Sequence, residues 1–169
     1  LAGEAGYVPG AVMSPFLGNH DVPRFLSRAA GMIAADTTVQ AWSSPPGAPT
    51  TDEPYDRLFL AFTFLLTQKG VPLIYDGDEI GQPGTADPDN RRMMRFGAAL
   101  SPREQKLLDR VKIVSKARGT LPGLRRGARR TLHLDGDGYV FSRGTTVDTV
   151  IVALNRGTPS RTVHVALDP

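Results

Sequence analysis

Three polar side chains of different chemistry stand next to one another near the start of the chain. They are the amide of Asn19, the imidazole of His20 and the carboxylate of Asp21, and they come soon after the apolar residues 11–13. Three adjacent polar groups are costly to bury, so we expect this cluster at the exposed end of a strand. There the carboxylate can accept hydrogen bonds from a ligand and the imidazole can donate or accept one. The cluster is therefore the first candidate for a functional site.

A second polar cluster follows another apolar segment, at residues 71–75. Carboxylates come directly after this segment, and the loop beyond it carries further charged and amide groups: Asp76, Asp78, Glu79, Asp87, Asp89, Asn90, Arg91 and Arg92. In parallel α/β sheets and barrels, ligands bind at the carboxyl ends of the strands. Two polar loops that each follow a predicted strand therefore favour one common site.

The segment between the two clusters predicts a helix that joins two parallel strands. Asp52 or the threonine before it can cap this helix, Pro54 fits its first turn, and residues 69–70 suit its end. Its apolar residues lie nearly all round, which is typical of a helix buried on most sides. Residues 11–17 and 71–75 then read as parallel strands with a crossover helix between them.

The remaining segments predict a loop, a second helix and a small β module. Residues 31–50 should form a loop because their core is rich in proline. Ser101 begins the second helix with Pro102 at its first position and Glu104 at the capping-box spacing. Four short strands are expected after this helix, at 132–134, 139–142, 150–154 and 163–167. The order is therefore strand, helix, strand, helix and then an antiparallel module.

Composition excludes several classes of function. The 169 residues contain no cysteine, which excludes disulfides and thiolate metal sites. A net charge of +3 does not indicate a nucleic-acid partner. No apolar run approaches the ~18 residues of a membrane helix, so no membrane partner is expected. The start at Leu1 does not read as a signal peptide and looks like the middle of a longer protein, and the compartment stays undetermined.

Metal and cofactor sites are not predicted. The run of oxygen-bearing side chains at residues 87–90 invites a calcium interpretation, but it lacks the glycine and the distal glutamate of the EF-hand pattern. We therefore expect neither a metal ion nor a cofactor on these residues.

Four separated motifs resemble one family. Residues 16–21, with the sequence FLGNHD, resemble the Phe-x-x-Asn-His-Asp region of the α-amylase family of glycoside hydrolases. Residues 70–81 are similar to the last barrel strand of that family and its following loop. Residues 87–92 resemble the next loop in its neopullulanase, cyclomaltodextrinase and trehalose-synthase-like branches, and residues 124–127 resemble the start of its C-terminal β domain. The motifs occur in the order of the family and cover nearly the whole chain.

The resemblance implies a fold and a division into domains. Residues 1–120 would supply the last strand–helix units of a (β/α)8 barrel, the C-terminal portion of an α-amylase-type catalytic domain. Residues 121–169 would form a small antiparallel β-sandwich. The overall class is α/β.

The resemblance also implies roles for single residues. Asp21 would be the third catalytic carboxylate, which grips sugar hydroxyls and favours the distorted, oxocarbenium-like transition state. His20 would donate a hydrogen bond to hydroxyls of the same ring. Asp87 and Arg91, four residues apart, would bind the next sugar. Hydrogen bonds to ring hydroxyls that strengthen in the transition state contribute several kcal/mol to such reactions.

Three further side chains have less definite roles. Asn19 belongs by position with the substrate-binding residues, although we expect it, like Arg24, mainly to orient the loop. Trp42 either stacks on a sugar or packs inside the protein, and the sequence favours neither.

The motifs of this chain do not include the two carboxylates that would cleave a glycosidic bond. A retaining glycosidase needs a nucleophile and an acid/base carboxylate about 5–5.5 Å apart, and no segment resembles the family's segments for either. The chain is therefore interpreted as a fragment, inactive alone, whose partners are an α-glucan or maltooligosaccharide and the rest of the barrel. Hydrolase and transglycosidase both remain open. The alternative is a non-catalytic carbohydrate-binding or structural module derived from the same barrel.

Overall fold

The computed structural model describes residues 11–167. Within this range the chain begins with helical and irregular segments and ends with an antiparallel sheet. The helices are α1 (Phe25–Ala29), α2 (Thr37–Ser43), α3 (Glu53–Thr67), α4 (Pro102–Thr120) and α5 (Pro122–Arg126). The strands are β1 (Ala128–Leu134), β2 (Gly138–Gly144) and β3 (Thr149–Asn155). Short 3-10 turns lie at Asp78–Ile80, Asp89–Arg91 and Gly97–Ala99.

The two predicted parallel strands meet in a single bridge. Phe16 pairs in parallel with Leu73, whose N–H donates to the carbonyl of Pro15 over 2.9 Å. Residues 11–17 and 71–75 thus run side by side in the expected direction, but regular strands do not form there. A proline in each segment removes a ladder donor and shortens the pairing. The described residues contain a parallel crossover rather than a barrel.

The crossover helix α3 agrees with its prediction in position and in burial of its inner side. It begins after Asp52, has Pro54 in its first turn and ends at Thr67. Its inner side chains pack with α1 and α4 in the main core, formed by Leu26, Tyr55, Leu58, Phe62, Leu65, Leu66, Leu107 and Val111. The outer side chains of the helix, Phe59, Leu60 and Phe64, are partly buried.

The predicted capping box of α4 is present. Glu104 N–H donates to the Ser101 hydroxyl over 3.4 Å, and Ser101 N–H donates to the Glu104 carboxylate over 2.7 Å. Arg95 also pairs with this buried carboxylate. Burial alone would raise the pKa of Glu104, but the hydrogen bonds from Arg95 and Ser101 outweigh it and hold the pKa below its usual value. The start of α4 is therefore fixed by a buried, ionised cap.

The prediction that residues 31–50 form only a loop was wrong, because α2 lies within them. Asp36 caps α2 by accepting the N–H of Val39 over 2.9 Å. Gln40 fixes the helix to the preceding chain, since its amide donates to the carbonyl of Met32 over 2.7 Å. The proline-rich stretch that dominates the composition begins only after the helix ends at Ser43.

The described part of the β module is one antiparallel sheet in the order β1–β2–β3. Its core side packs on α5 through a cluster of Leu124, Phe141 and Val152. The predicted β-sandwich is not formed within residues 11–167, and the predicted fourth strand at 163–167 has no strand pairing. The chain after β3 instead crosses to the β1–β2 turn, where Arg161 pairs with Asp135 over 2.7 Å.

Two arginines connect the end of α3 to the sheet and to α4. Arg143 of β2 is fully buried and donates to the carbonyls of Thr67 (2.7 Å) and Gly127 (3.0 Å). Arg118 of α4 donates to the carbonyl of Leu66 over 2.8 Å. The last carbonyls of a helix lack partners within the helix, so these donors satisfy them. Burial, and then the charges of neighbouring arginines, lower the pKa of both side chains.

Across residues 11–167, every helix is too short or too polar to cross a membrane.

Candidate functional site

The Asn19–Asp21 cluster forms a turn just after the parallel bridge. Asn19 shapes this turn, because its side-chain oxygen accepts the backbone N–H groups of Asp21 (2.8 Å) and Val22 (3.1 Å). His20 Nε2 lies 3.3 Å from Asp21 Oδ1, and the two side chains are 50% and 69% exposed. The turn therefore presents an imidazole and a carboxylate together to the solvent.

The Asp87–Arg91 pair stands on the turn that contains Asp89–Arg91. The two exposed side chains form an ion pair. The hydrogen bond to Asp87 raises the pKa of Arg91, and the charges of Asp87, Tyr75 and Asp21 add to this effect.

The buried side chain of Asn90 joins the two clusters. Its amide nitrogen donates to three carbonyls of the first turn, those of His20 (2.6 Å), Val22 (3.1 Å) and Asn19 (3.3 Å). The exposed pair Asp87–Arg91 flanks it in sequence. The two polar loops therefore form one unit, although about 70 residues of chain separate them.

Arg24 holds this unit from behind. Its guanidinium is completely buried and donates to Asp78 Oδ1 (2.9 Å), to the carbonyl of Asp76 (2.6 Å) and to the carbonyl of Asn90 (2.7 Å). The same group lies 4.2 Å from the centre of the Tyr75 ring. Burial raises the pKa of Asp78, and the hydrogen bond and charge of Arg24 oppose that effect. Arg24 and Asp78 thus form a buried structural ion pair.

Two glycines permit this close arrangement. A Cβ atom on Gly18 would lie 3.0 Å from Asp78 Oδ2, so the backbone beside the first turn approaches the buried ion pair closely. Gly77 has a φ of +86°, and a Cβ there would lie 2.7 Å from Gln82 Oε1. Glycine is the residue that adopts such a φ without strain.

The structure therefore brings the five predicted site residues together on two loops that Asn90 joins. His20 and Asp21 stand on the turn that Asn90 ties to the loop of Asp87 and Arg91, and Asn19 uses its oxygen within that turn. The structure gives the positions of these side chains, and their contacts with a sugar remain predictions.

Asp78 and Glu79 of the second loop lie behind the exposed surface. Asp78 is buried against Arg24. The buried Oε2 of Glu79 has no hydrogen-bond partner within the described chain. The sequence marks Asn90 only as one polar residue of the loop, and its connecting role has no local signal there.

Within residues 11–167, no group of three or more acidic or histidine side chains is arranged to hold a metal ion.

Sequence comparison finds relatives over most of the chain. A beta/alpha-amylase of Paenibacillus polymyxa is 34% identical over 147 residues, which is 87% of this chain and 11% of that protein. A cyclomaltodextrinase of Thermoanaerobacter pseudethanolicus is 30% identical over 152 residues, 90% of this chain and 22% of the relative. The chain thus spans about a tenth to a fifth of the length of these curated relatives.

Solved structures give the same result. The α-amylase of Geobacillus thermoleovorans, solved with acarbose, superimposes with a TM-score of 0.72 at 30% identity, over 91% of this chain and 29% of that one. An Anoxybacillus α-amylase superimposes with a TM-score of 0.67 at 31% identity, over 85% of this chain and 27% of that one. No protein-family profile matches the chain.

The sequence and structural matches agree with each other and with the four motifs. The chain belongs to the α-amylase family of glycoside hydrolases and corresponds to part of the C-terminal region of that family. The resemblance inferred from the motifs is thereby confirmed.

Proposed function

We propose that this chain supplies one wall of the sugar site in a retaining α-glucan hydrolase or transglycosidase. Residues 1–120 would be the last strand–helix units of its (β/α)8 barrel, and residues 121–169 its C-terminal antiparallel β domain. Curated relatives that match most of the chain, a cyclomaltodextrinase among them, support this general kind of enzyme.

The observation that carries the proposal is the connection made by Asn90. Its three hydrogen bonds hold the turn of His20 and Asp21 against the loop of Asp87 and Arg91. Residues that must grip neighbouring sugars need a fixed spacing, because a small displacement of a binding group costs much of its effect. A buried amide shared between both loops provides that spacing.

In this proposal each exposed side chain has a distinct task. Asp21 accepts hydrogen bonds from hydroxyls of the sugar ring at the cleavage point and strengthens them as the ring distorts. His20 donates to the same ring. Asp87 and Arg91 bind the adjoining sugar as acceptor and donor, and Asn19 shapes the turn that presents the first two.

The nucleophile and the acid/base would come from other segments of the enzyme. A retaining mechanism needs two free carboxylates about 5–5.5 Å apart. Two acidic groups of the second loop are already engaged, Asp78 with Arg24 and Asp87 with Arg91. We therefore expect this chain alone to bind sugar without cleaving it.

Calorimetric titration of the purified chain with maltotriose tests the proposal. We expect saturable binding, a loss of about tenfold or more in affinity for Asp21→Ala, and no release of reducing sugar. Asp109→Ala is the matched control, because it removes an exposed carboxylate from α4.

Each contrary result has a definite meaning. Release of reducing sugar by the pure chain would overturn the missing-carboxylate part of the proposal. Binding that does not depend on Asp21 would favour a non-catalytic carbohydrate-binding module, and no binding at all would favour a structural module.

A further inference from the structure

The only tryptophan of the sequence is one of its most exposed large side chains. Trp42 lies on α2 and is 76% exposed. Val39, three residues earlier and so on the same face of the helix, is 58% exposed. The sequence leaves two roles open for Trp42, stacking on a sugar and packing inside the protein. Within residues 11–167 the side chain is not packed inside.

The opposite face of α2 is fixed to the sugar-site loop. Gln40 is buried, and its side-chain oxygen accepts a hydrogen bond from the Thr85 hydroxyl over 3.0 Å. Thr85 N–H donates in turn to Asp89 Oδ2 over 2.9 Å. Asp89 begins the turn that carries Arg91. One short chain of hydrogen bonds thus leads from the helix of Trp42 to the sugar-site loop.

A second tie holds the segment that follows α2. Arg92 donates to Asp89 Oδ1 (2.8 Å) and to the carbonyl of Pro46 (2.8 Å). The chain on both sides of Trp42 is therefore anchored to the same loop. A side chain presented by an anchored segment loses less conformational freedom on binding than one on a free loop.

We propose that Trp42 is a stacking platform for an α-1,4-linked glucan that extends beyond the sugars held by Asp21 and Arg91. This inference rests on the proposed function. The flat indole matches the apolar C–H face of a pyranose ring, and its N–H can donate to a hydroxyl. The platform would add affinity for longer chains without touching the bond that is cleaved.

The size and position of this surface favour a sugar over a protein partner. Trp42 and Val39 are flanked by the exposed polar residues Thr38 and Ser43, so the apolar face is narrow. Stable protein interfaces bury about 800 Å² on each partner, far more than two side chains offer. One sugar ring needs no more than a single aromatic face, and the helix that presents this face is tied through Gln40 to the loop that carries Arg91.

Because Trp42 is the only tryptophan, its fluorescence reports on this position alone. We expect maltoheptaose to change the emission of the full chain saturably and maltotriose to leave it nearly unchanged. Calorimetry should show about threefold to tenfold weaker maltoheptaose binding for Trp42→Ala, the size expected for one lost aromatic face. Trp42→Phe should retain part of the affinity, and maltotriose affinity should not change in either variant.

Ile113→Ala is the matched control, because it removes an exposed apolar side chain from α4. Equal maltoheptaose affinity of Trp42→Ala and the unaltered chain would overturn the platform while leaving Asp21-dependent maltotriose binding intact. Conversely, maltotriose binding that ignores Asp21, together with a normal Trp42 response to maltoheptaose, would overturn the proposed function and keep the platform. If no sugar binds, both fail.

Discussion

The side-chain amide of Asn90 donates a hydrogen bond of 2.6 Å to the carbonyl oxygen of His20. This contact links two loops that are far apart in the chain, and each loop carries exposed groups of the candidate site. The backbone of the first turn thus owes its position to a side chain of the second loop. Substitutions in one loop should therefore change the position of the other loop.

Asn90→Ala tests this dependence directly. The variant removes donors to the carbonyls of Asn19, His20 and Val22. We expect the free energy of unfolding to fall by about 1–3 kcal/mol and maltotriose affinity to fall with it, measured by urea denaturation and calorimetry. Asn155→Ala is the control, because it removes an exposed amide that donates to Pro159. Unchanged sugar affinity in a folded Asn90→Ala variant would contradict the connecting role of Asn90.

The buried ion pair of Arg24 and Asp78 should be costly to break. Asp78→Asn leaves the guanidinium of Arg24 buried without a counter-charge. Losing one partner of a buried pair typically costs about 3–5 kcal/mol. The exposed pair of Arg57 and Glu53 offers a contrast, since Glu53→Gln should cost less than about 0.5 kcal/mol. Chemical denaturation of both variants measures the difference, and equal losses would show that Arg24 is not held as described.

Local sequence signals accounted well for the starts of α3 and α4. The capping box of Ser101 and Glu104 and the proline in the first turn of α3 each marked a real helix start. The helix α2 was missed because a neighbouring run of prolines dominated the composition of its segment. Its cap at Asp36 was visible in the sequence and is the signal that a shorter window would have found.

Long-range polar contacts could not be read from the sequence. Asp21 could be predicted as a functional residue from its neighbours in the sequence, because a carboxylate beside a histidine is a local pattern. The role of Asn90 depends on the carbonyl of His20, 70 residues away, and that of Arg143 on the carbonyl of Thr67, 76 residues away. Nothing in the neighbourhood of either residue distinguishes it from an ordinary polar side chain, so only the folded arrangement defines its function.

Arg143 joins the sheet to the end of α3, so we expect its substitution to lower the free energy of unfolding. Arg143→Met removes charged donors from the carbonyls of Thr67 and Gly127. We expect a loss of about 1.5–3 kcal/mol in the free energy of unfolding, measured by denaturation followed at the sheet and at the helices. The control Arg126→Met alters an exposed arginine at the end of α5. A stability loss no larger than that of the control would contradict this role.

The surface around the parallel bridge should make the isolated chain self-associate. Large apolar side chains are exposed on both of its segments: Val12, Met13, Phe16, Val71, Leu73 and Ile74. An exposed apolar patch beside unpaired backbone is a site of association. Sedimentation velocity should therefore show oligomers whose fraction rises with protein concentration. Val71→Lys should lower that fraction.

Val147→Lys serves as the control for this surface, because Val147 is exposed in the β2–β3 turn, outside the two segments that form the bridge. A clean monomer at all concentrations would contradict the role of the bridge surface in association. An equal effect of both lysine substitutions would assign the improvement to added charge rather than to the bridge.

The buried carboxylate of Glu104 should make stability depend on pH. Arg95 and Ser101 hold the pKa of this group below its ordinary value of 4.5 despite burial, so the folded state binds its proton less readily than the unfolded state. The resulting stabilisation is fully present above pH 4.5 and is lost as pH falls toward and through the folded pKa. We therefore expect Glu104→Gln to be less stable than the unaltered chain at neutral pH.

The same difference should shrink as the medium is acidified to about pH 3. Urea denaturation of both proteins at several pH values gives the two stability curves, and their difference isolates Glu104 from the other carboxylates. Gln105→Ala, at the neighbouring position, controls for general changes in α4. A constant difference between the curves would mean that the cap stabilises α4 by shape alone and that its charge contributes nothing.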